Sequence, residues 1–108
     1  MNTKTAIAAA ALILLPAAVA IAEPTPHEFC TEIAGLAEVI MEGRQNGTPM
    51  PAMMDVAAQG NDTEMNKITE ALIIDAFGHP RYSTERLKQI TIGDFSDSAY
   101  LSCITAIR

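Results

Sequence analysis

The sequence has no tryptophan and only two cysteines, and aromatic residues make up 5% of its 108 residues. It contains no glycine-rich phosphate loop, no G-x-S-x-G and no H-E-x-x-H, the motifs that hold nucleotide phosphates, expose a nucleophilic serine or bind a catalytic zinc. It also has no basic run, and its net charge of −6 disfavours contact with phosphate backbones. We therefore expect a protein that is not an enzyme, with no catalytic or metal-binding residues, no cofactor and no nucleic acid partner.

The one long apolar segment lies at the start of the chain. Residues 1–22 combine a positive Lys4, an apolar core and a small-x-small site, Ala20-Ile21-Ala22, as is typical of a secretory signal peptide. The run is shorter than the about 20 apolar residues that span a bilayer as a helix. The sequence predicts a cleaved signal peptide over 1–22 and a single periplasmic or secreted domain over 23–108, without a stable membrane anchor.

Both cysteines, Cys30 and Cys103, lie in the predicted mature domain. Export to an oxidising compartment would let them pair, whereas neither belongs to a C-x-x-C motif with zinc-binding spacing. Two free thiols, an intermolecular bridge or half of a metal site are the alternatives. We predict an intramolecular disulfide, for which chain entropy gives an upper bound of about 4.4 kcal/mol of stability.

The remaining signals are helical. Thr25 followed by Pro26 predicts the start of a first helix, and Asn46-Gly47 predicts its end. Three further starts are predicted at Thr48-Pro49, Asn61-Asp62 and Ser83. No useful stretch alternates apolar and polar residues as a strand would. The prediction is an all-α, four-helix domain, closed by a disulfide that makes the first and last helices antiparallel neighbours.

Two glycines suggest irregularities in these helices. Gly35 weakens the first helix, so we expect another helix to approach closely there. In the last helix, the β-branched run before Gly93 favours a kink or break. We expect Asp94 to cap the second half of that helix, and Leu87 and Ile90 to face inward in the first half.

Two segments are candidate contact surfaces for a partner. The first holds Met50, Met53 and Met54, whose thioethers could bind Cu(I) or form an adaptable packing or docking surface. The second holds Arg81 and Tyr82, a pair typical of binding hot spots. The structural alternative for that pair is that Arg81 caps the C-terminus of a helix while the Tyr82 ring packs on the bundle.

Four segments together resemble a known group of proteins: Phe29-Cys30, Ile40-Met41-Glu42-Gly43-Arg44-Gln45-Asn46-Gly47, Pro80-Arg81-Tyr82-Ser83-Thr84-Glu85 and Ala99-Tyr100-Leu101-Ser102-Cys103. The chain is similar over most of residues 29–103 to small exported helical proteins of phages and proteobacteria that have no assigned activity. The resemblance implies the helical fold and the disulfide, and it implies no function. The Ile92-Gly93 step departs from the smoother helix expected in that group.

These patterns predict an exported helical binding module, non-catalytic, with a protein partner in the cell envelope. Two other hypotheses remain open. One is an acid-responsive periplasmic chaperone, because neutralising the many carboxylates at low pH could loosen the fold. The other is a methionine-rich Cu(I)-binding protein.

Overall fold

A computed structural model describes residues 22–108, so the predicted signal peptide, apart from Ala22, lies outside the described residues. The described chain consists of four helices and contains no strand: α1 (Pro26–Gln45), α2 (Met50–Ala57), α3 (Thr63–Phe77) and α4 (Glu85–Ile107). This confirms the all-α, four-helix prediction. None of these four helices is both long and apolar enough to cross a bilayer.

Side-chain caps start α1 and α3 as predicted. Oγ1 of Thr25 accepts a hydrogen bond of 3.1 Å from the backbone N–H of Glu28, and Oδ1 of Asp62 accepts one of 3.1 Å from that of Met65. Gly47 follows α1 with a φ of 87°, a left-handed conformation that glycine adopts without a Cβ clash. Local chemistry therefore sets these helix boundaries.

The N-caps of the other two helices lie one residue later than predicted, although α2 begins at Met50 as expected. Thr84, not Ser83, is the N-cap of α4, and its Oγ1 accepts a hydrogen bond of 3.4 Å from the N–H of Leu87. Pro49, not Thr48, precedes α2, with no side-chain cap. With Thr48 as the cap, Pro51 would stand at the third helical position, where proline has no N–H to donate to the threonine hydroxyl.

The core lies between α1 and its neighbours, since α1 packs against both α4 and α3, and α2 packs against α3. The buried apolar side chains of the core are Ile33, Ala37, Ile40 and Met41 of α1, Ala57 of α2, Ile73 and Ala76 of α3, and Ile92, Phe95 and Ala99 of α4. α2 contributes least to it.

The first and last helices are antiparallel neighbours, as predicted. A disulfide joins Cys30 in the first turns of α1 to Cys103 near the end of α4, with 5.6 Å between their Cα atoms. Further along α1, the carbonyl of Ala34 accepts a hydrogen bond of 2.9 Å from Oγ of Ser96. Because the partner number falls as the α1 number rises, the two helices run in opposite directions. The predicted disulfide is confirmed.

Of the kink or break predicted in the last helix, the break is wrong. α4 continues through Ile92 and Gly93, so Asp94 caps nothing. Ile92 is buried against α1, whereas Gly93 is exposed, and a Cβ added to it would meet no described atom within 4 Å. A glycine on the solvent face weakens a helix without interrupting it, since packing of the opposite face holds the helix together.

The continuous helix also changes which of its residues face the core. Leu87 and Ile90, predicted to face inward, are 43% and 46% exposed, because the unbroken turns direct Ile92 and Phe95 toward α1 instead. The expected close approach at Gly35 is likewise absent, since an added Cβ there would meet no described atom within 4 Å.

Candidate functional site

An apolar surface groove of about 470 Å³ runs between α1, α2 and α3, and we call it the three-helix groove. Its main apolar lining residues are Leu36, Val39, Met53, Val56, Met65 and Ile73. Few polar groups reach it, among them the side chains of Thr48, Asn66 and Thr69. Such a lining favours burial of an apolar surface over acid–base chemistry.

The groove exists because α2 is short and packs chiefly on α3, which leaves a gap beside α1. At one end Met53 spans this gap and its Cε lies against Gly43, where any Cβ would displace it. At the α2–α3 turn, Nδ2 of Asn66 donates a hydrogen bond of 2.8 Å to the carbonyl of Gly60. The methionine and the asparagine thus hold α2 in place while the groove stays open.

Two large apolar side chains of the groove face solvent. Val39 of α1 is 64% exposed and Val56 of α2 is 69% exposed, and both line the groove. Exposed apolar side chains are ordinary when they are scattered singly, but two that border one apolar groove form a surface that can be buried by a partner.

Charge is distributed unevenly over the chain. Residues 23–77, which include the three helices of the groove, carry ten Asp and Glu against two Lys and Arg, whereas residues 78–108 carry three against four. Both cations of the acidic part are engaged. Arg44 donates to the carbonyl of His79 at 3.2 Å and lies over the Phe77 ring, and Lys67 lies 3.4 Å from Glu64. The three helices that build the groove therefore carry most of the acidic side chains of the described chain, although none of those side chains lines the groove itself.

Of the three methionines singled out in the sequence, Met53 lines the groove. Met50 and Met54 are half-buried and pack, like Met53, against the hydrophobic core. Within residues 22–108 no group of three or more His, Cys, Asp or Glu side chains is placed to hold a metal ion. The packing alternative is observed for all three methionines, and Met53 also lines the groove.

Arg81 and Tyr82 hold the C-terminus of α1. Nε of Arg81 donates a hydrogen bond of 3.1 Å to the carbonyl of Gln45, and the guanidinium lies against Gly47. The N–H of Tyr82 donates to Oε1 of Gln45 at 2.8 Å. The structural alternative is thus observed for Arg81, and a partner contact by this pair stays a hypothesis.

Gln45 is the residue whose importance the sequence reading missed. It is the one fully buried polar side chain of the described core, and its Nε2 donates to the carbonyl of Pro80 at 2.9 Å. The sequence did contain a signal for its burial. Gln45 follows Ile33, Ala37 and Met41 of α1 at spacings of four, which places it on the same buried face of the helix.

A second apolar groove, of about 420 Å³, lies near the disulfide between α1, α3 and α4. Phe29, Leu72, Cys103 and Ile107 are among its lining residues. It lacks the pair of strongly exposed valines that borders the three-helix groove.

Fold and grooves together define a small, disulfide-closed four-helix protein with an apolar surface groove between three helices that each carry a net negative charge. Comparisons of the chain with models of known protein families, with curated proteins and with solved structures find no match. Its function must therefore be argued from the grooves, the charges and the contacts themselves.

Proposed function

We propose that the chain is an exported, non-catalytic binding module whose three-helix groove takes up a helical segment of a cell-envelope protein. One observation carries the proposal: Val39 and Val56 stand exposed on opposite sides of one apolar groove. Docking a helix into such a groove is a recurrent mode of peptide recognition, in which apolar side chains one turn apart fill the groove.

The lining of the groove supports binding over catalysis. Catalysis needs a nucleophile, a base and an orienting group that converge on one point. Here the hydroxyl of Ser96 donates to a helix carbonyl, and the ring of His79 packs edge-on against Phe95 at 5.5 Å between centroids. Neither residue lines the three-helix groove.

Two features support export. The pattern of residues 1–22 is that of a signal peptide, and the Cys30–Cys103 disulfide is of the kind that persists in oxidising compartments. A periplasmic or secreted location is consistent with both.

No observation favours the other two hypotheses. Met50, Met53 and Met54 pack against the core. None of the carboxylates in the described residues is buried, so their protonation at low pH would not place or remove a charge inside the core. Chaperone and copper-binding roles remain hypotheses from the sequence.

Photocrosslinking in cells that export the full chain tests the proposal. A photoreactive phenylalanine analogue in place of Val56 should crosslink to a discrete envelope protein, and the same analogue in place of Leu101, an α4 residue that is 65% exposed, should not. The crosslink from position 56 should disappear when Val39→Arg fills the groove edge with charge.

Each variant must keep the helical circular dichroism spectrum and the disulfide of the wild type, so that a loss of crosslinking reports on the groove and not on unfolding. The proposal would be contradicted if positions 56 and 101 crosslinked to the same proteins. It would also be contradicted if the crosslink from position 56 survived Val39→Arg.

A further inference from the structure

We infer that the segment bound in the three-helix groove is a cationic amphipathic helix, with an apolar stripe that fills the groove and Lys or Arg along both flanks. The inference rests on the proposed function, because it names the chemistry of the partner for the same groove.

The first support is the charge imbalance of the helices that build the groove. Residues 23–77 carry ten acidic and two basic side chains, and Arg44 and Lys67 are already engaged within the chain. Like charges concentrated beside an apolar wall of low dielectric constant create a potential that attracts the opposite charge. The groove is thus biased toward a positively charged partner.

The second support is the placement of acidic residues along α1. Glu28, Glu32, Val39 and Glu42 follow one another at spacings of four, seven and three, which puts them on one ridge of a helix. All four are exposed, and Val39 lines the groove. The α1 side of the groove therefore presents an apolar contact flanked along the helix by carboxylates.

The other two helices add carboxylates at the groove. On α2, Asp55 is exposed and precedes the groove residue Val56. On α3, Glu70 lies one turn after Asn66 and one turn before Ile73, both of which line the groove. Acidic side chains thus stand beside the apolar lining on all three helices, which matches a helix that carries basic residues on both flanks of its apolar stripe.

The same charges disfavour other occupants. A second copy of the chain would bring an equally acidic surface, and anionic lipid would be repelled in the same way. An uncharged alkyl ligand would gain nothing from the carboxylates. Electrostatic complementarity of this kind selects partners and speeds their encounter.

The probe is an 18-residue amphipathic peptide with a leucine stripe at helical spacing and lysines on both flanks. Two matched peptides replace the lysines by glutamates or the leucines by serines. Binding to the protein, purified from cells that express the full chain so that the disulfide has formed, is measured by fluorescence anisotropy. We expect the lysine peptide to bind at least tenfold more tightly than either of the others, and less tightly as salt is added.

Variants of the protein separate the contributions of charge and apolar contact. Glu32→Gln, Glu42→Gln and Asp55→Asn together should weaken binding about 10- to 100-fold, at about two- to fivefold per carboxylate. Glu85→Gln, Asp94→Asn and Asp97→Asn in α4 change the net charge equally and should weaken it less than twofold. Val56→Ser should weaken binding at least fivefold, and Leu101→Ser should not.

The outcomes distinguish this inference from the proposed function. Equal affinity for the lysine and glutamate peptides, together with sensitivity to Val56→Ser, overturns the charge preference and leaves the groove as a binding site. Equal effects of the two triple variants overturn the inference as well, because net charge alone would then explain the attraction. Absence of binding by any peptide, with the crosslink from position 56 retained, overturns the inference and not the proposed function. A dimer that Val56→Ser dissociates would place a second copy in the groove and overturn the inference.

Discussion

The side-chain amide of Gln45 pairs with the backbone of Tyr82: its Oε1 accepts the N–H of Tyr82 at 2.8 Å, while its Nε2 donates to the carbonyl of Pro80 at 2.9 Å. One buried side chain thus joins the end of α1 to the loop that leads into α4. The disulfide fixes the opposite end of the same helix pair. The antiparallel pair of α1 and α4 is therefore held together at both ends, by the disulfide at one end and by the hydrogen bonds of the Gln45 amide at the other.

Replacing Gln45 by alanine should lower the free energy of unfolding by about 2–4 kcal/mol, because it leaves part-buried backbone groups of the loop without partners and opens a cavity at a fully buried side chain. Urea denaturation measures the loss. Gln89→Ala is the matched control, since Gln89 is exposed and bonds only to Glu85, and its effect should stay within about 0.5 kcal/mol. Similar effects of both variants would refute a structural role for the buried amide.

Arg81→Ala should lower the free energy of unfolding by about 1 kcal/mol, because the charge-assisted hydrogen bond to the last carbonyl of α1 is lost. Arg81→Lys should restore only part of this, since lysine has no counterpart of the Nε donor. Arg86→Ala, an exposed change in α4, serves as control. The crosslink from position 56 should persist in Arg81→Ala; its loss in a folded protein would restore the Arg81-Tyr82 loop as a partner site.

The parts of the fold that were predicted correctly depend on residues close in sequence or on covalent chemistry. Thr25 and Asp62 cap helices through hydrogen bonds that reach three residues ahead, and Gly47 ends α1 by its own φ. The Cys30–Cys103 pairing followed from there being only two cysteines in a domain predicted to be exported. Each of these signals can be read without knowing where the helices pack.

The parts that were missed depend on tertiary packing. The hydrogen-bond partners of Gln45 in the loop lie 35 and 37 residues away, and the three-helix groove exists because α2 packs on α3 and stands off α1. The predicted break at Gly93 failed for the same reason, since burial of Phe95 and its neighbours against α1 outweighs the weak local propensity. Met53 was singled out from composition alone, and only the tertiary structure shows that it lines the three-helix groove.

The glycines should respond to alanine with opposite signs. Gly35→Ala and Gly93→Ala should each raise the free energy of unfolding by about 0.5–1 kcal/mol, since both are helical and an added Cβ meets no described atom within 4 Å. Gly47→Ala should lower it by about 1–2 kcal/mol, because φ is 87° and the new Cβ would lie 2.8 Å from Nη2 of Arg81. Thermal and urea denaturation of the three single variants test this, and stabilisation by Gly47→Ala would contradict it.

Removing the disulfide should strongly destabilise the fold. The bridge joins residues separated by 73 positions, for which the chain-entropy model gives about 4.4 kcal/mol as an upper bound. Residual structure in the reduced, unfolded chain lowers that figure, so we expect the Cys30→Ala, Cys103→Ala variant to lose about 3–4 kcal/mol, equivalent to a fall in Tm of roughly 15–30 °C for a domain of this size. Dithiothreitol should cause a comparable loss of stability in the wild type and none in the double variant. This comparison separates the effect of breaking the disulfide from that of the small cavity that the substitution leaves at the buried Cys30. A loss below about 1 kcal/mol in urea denaturation would mean that Gln45 and the core hold the two helices together without the covalent link.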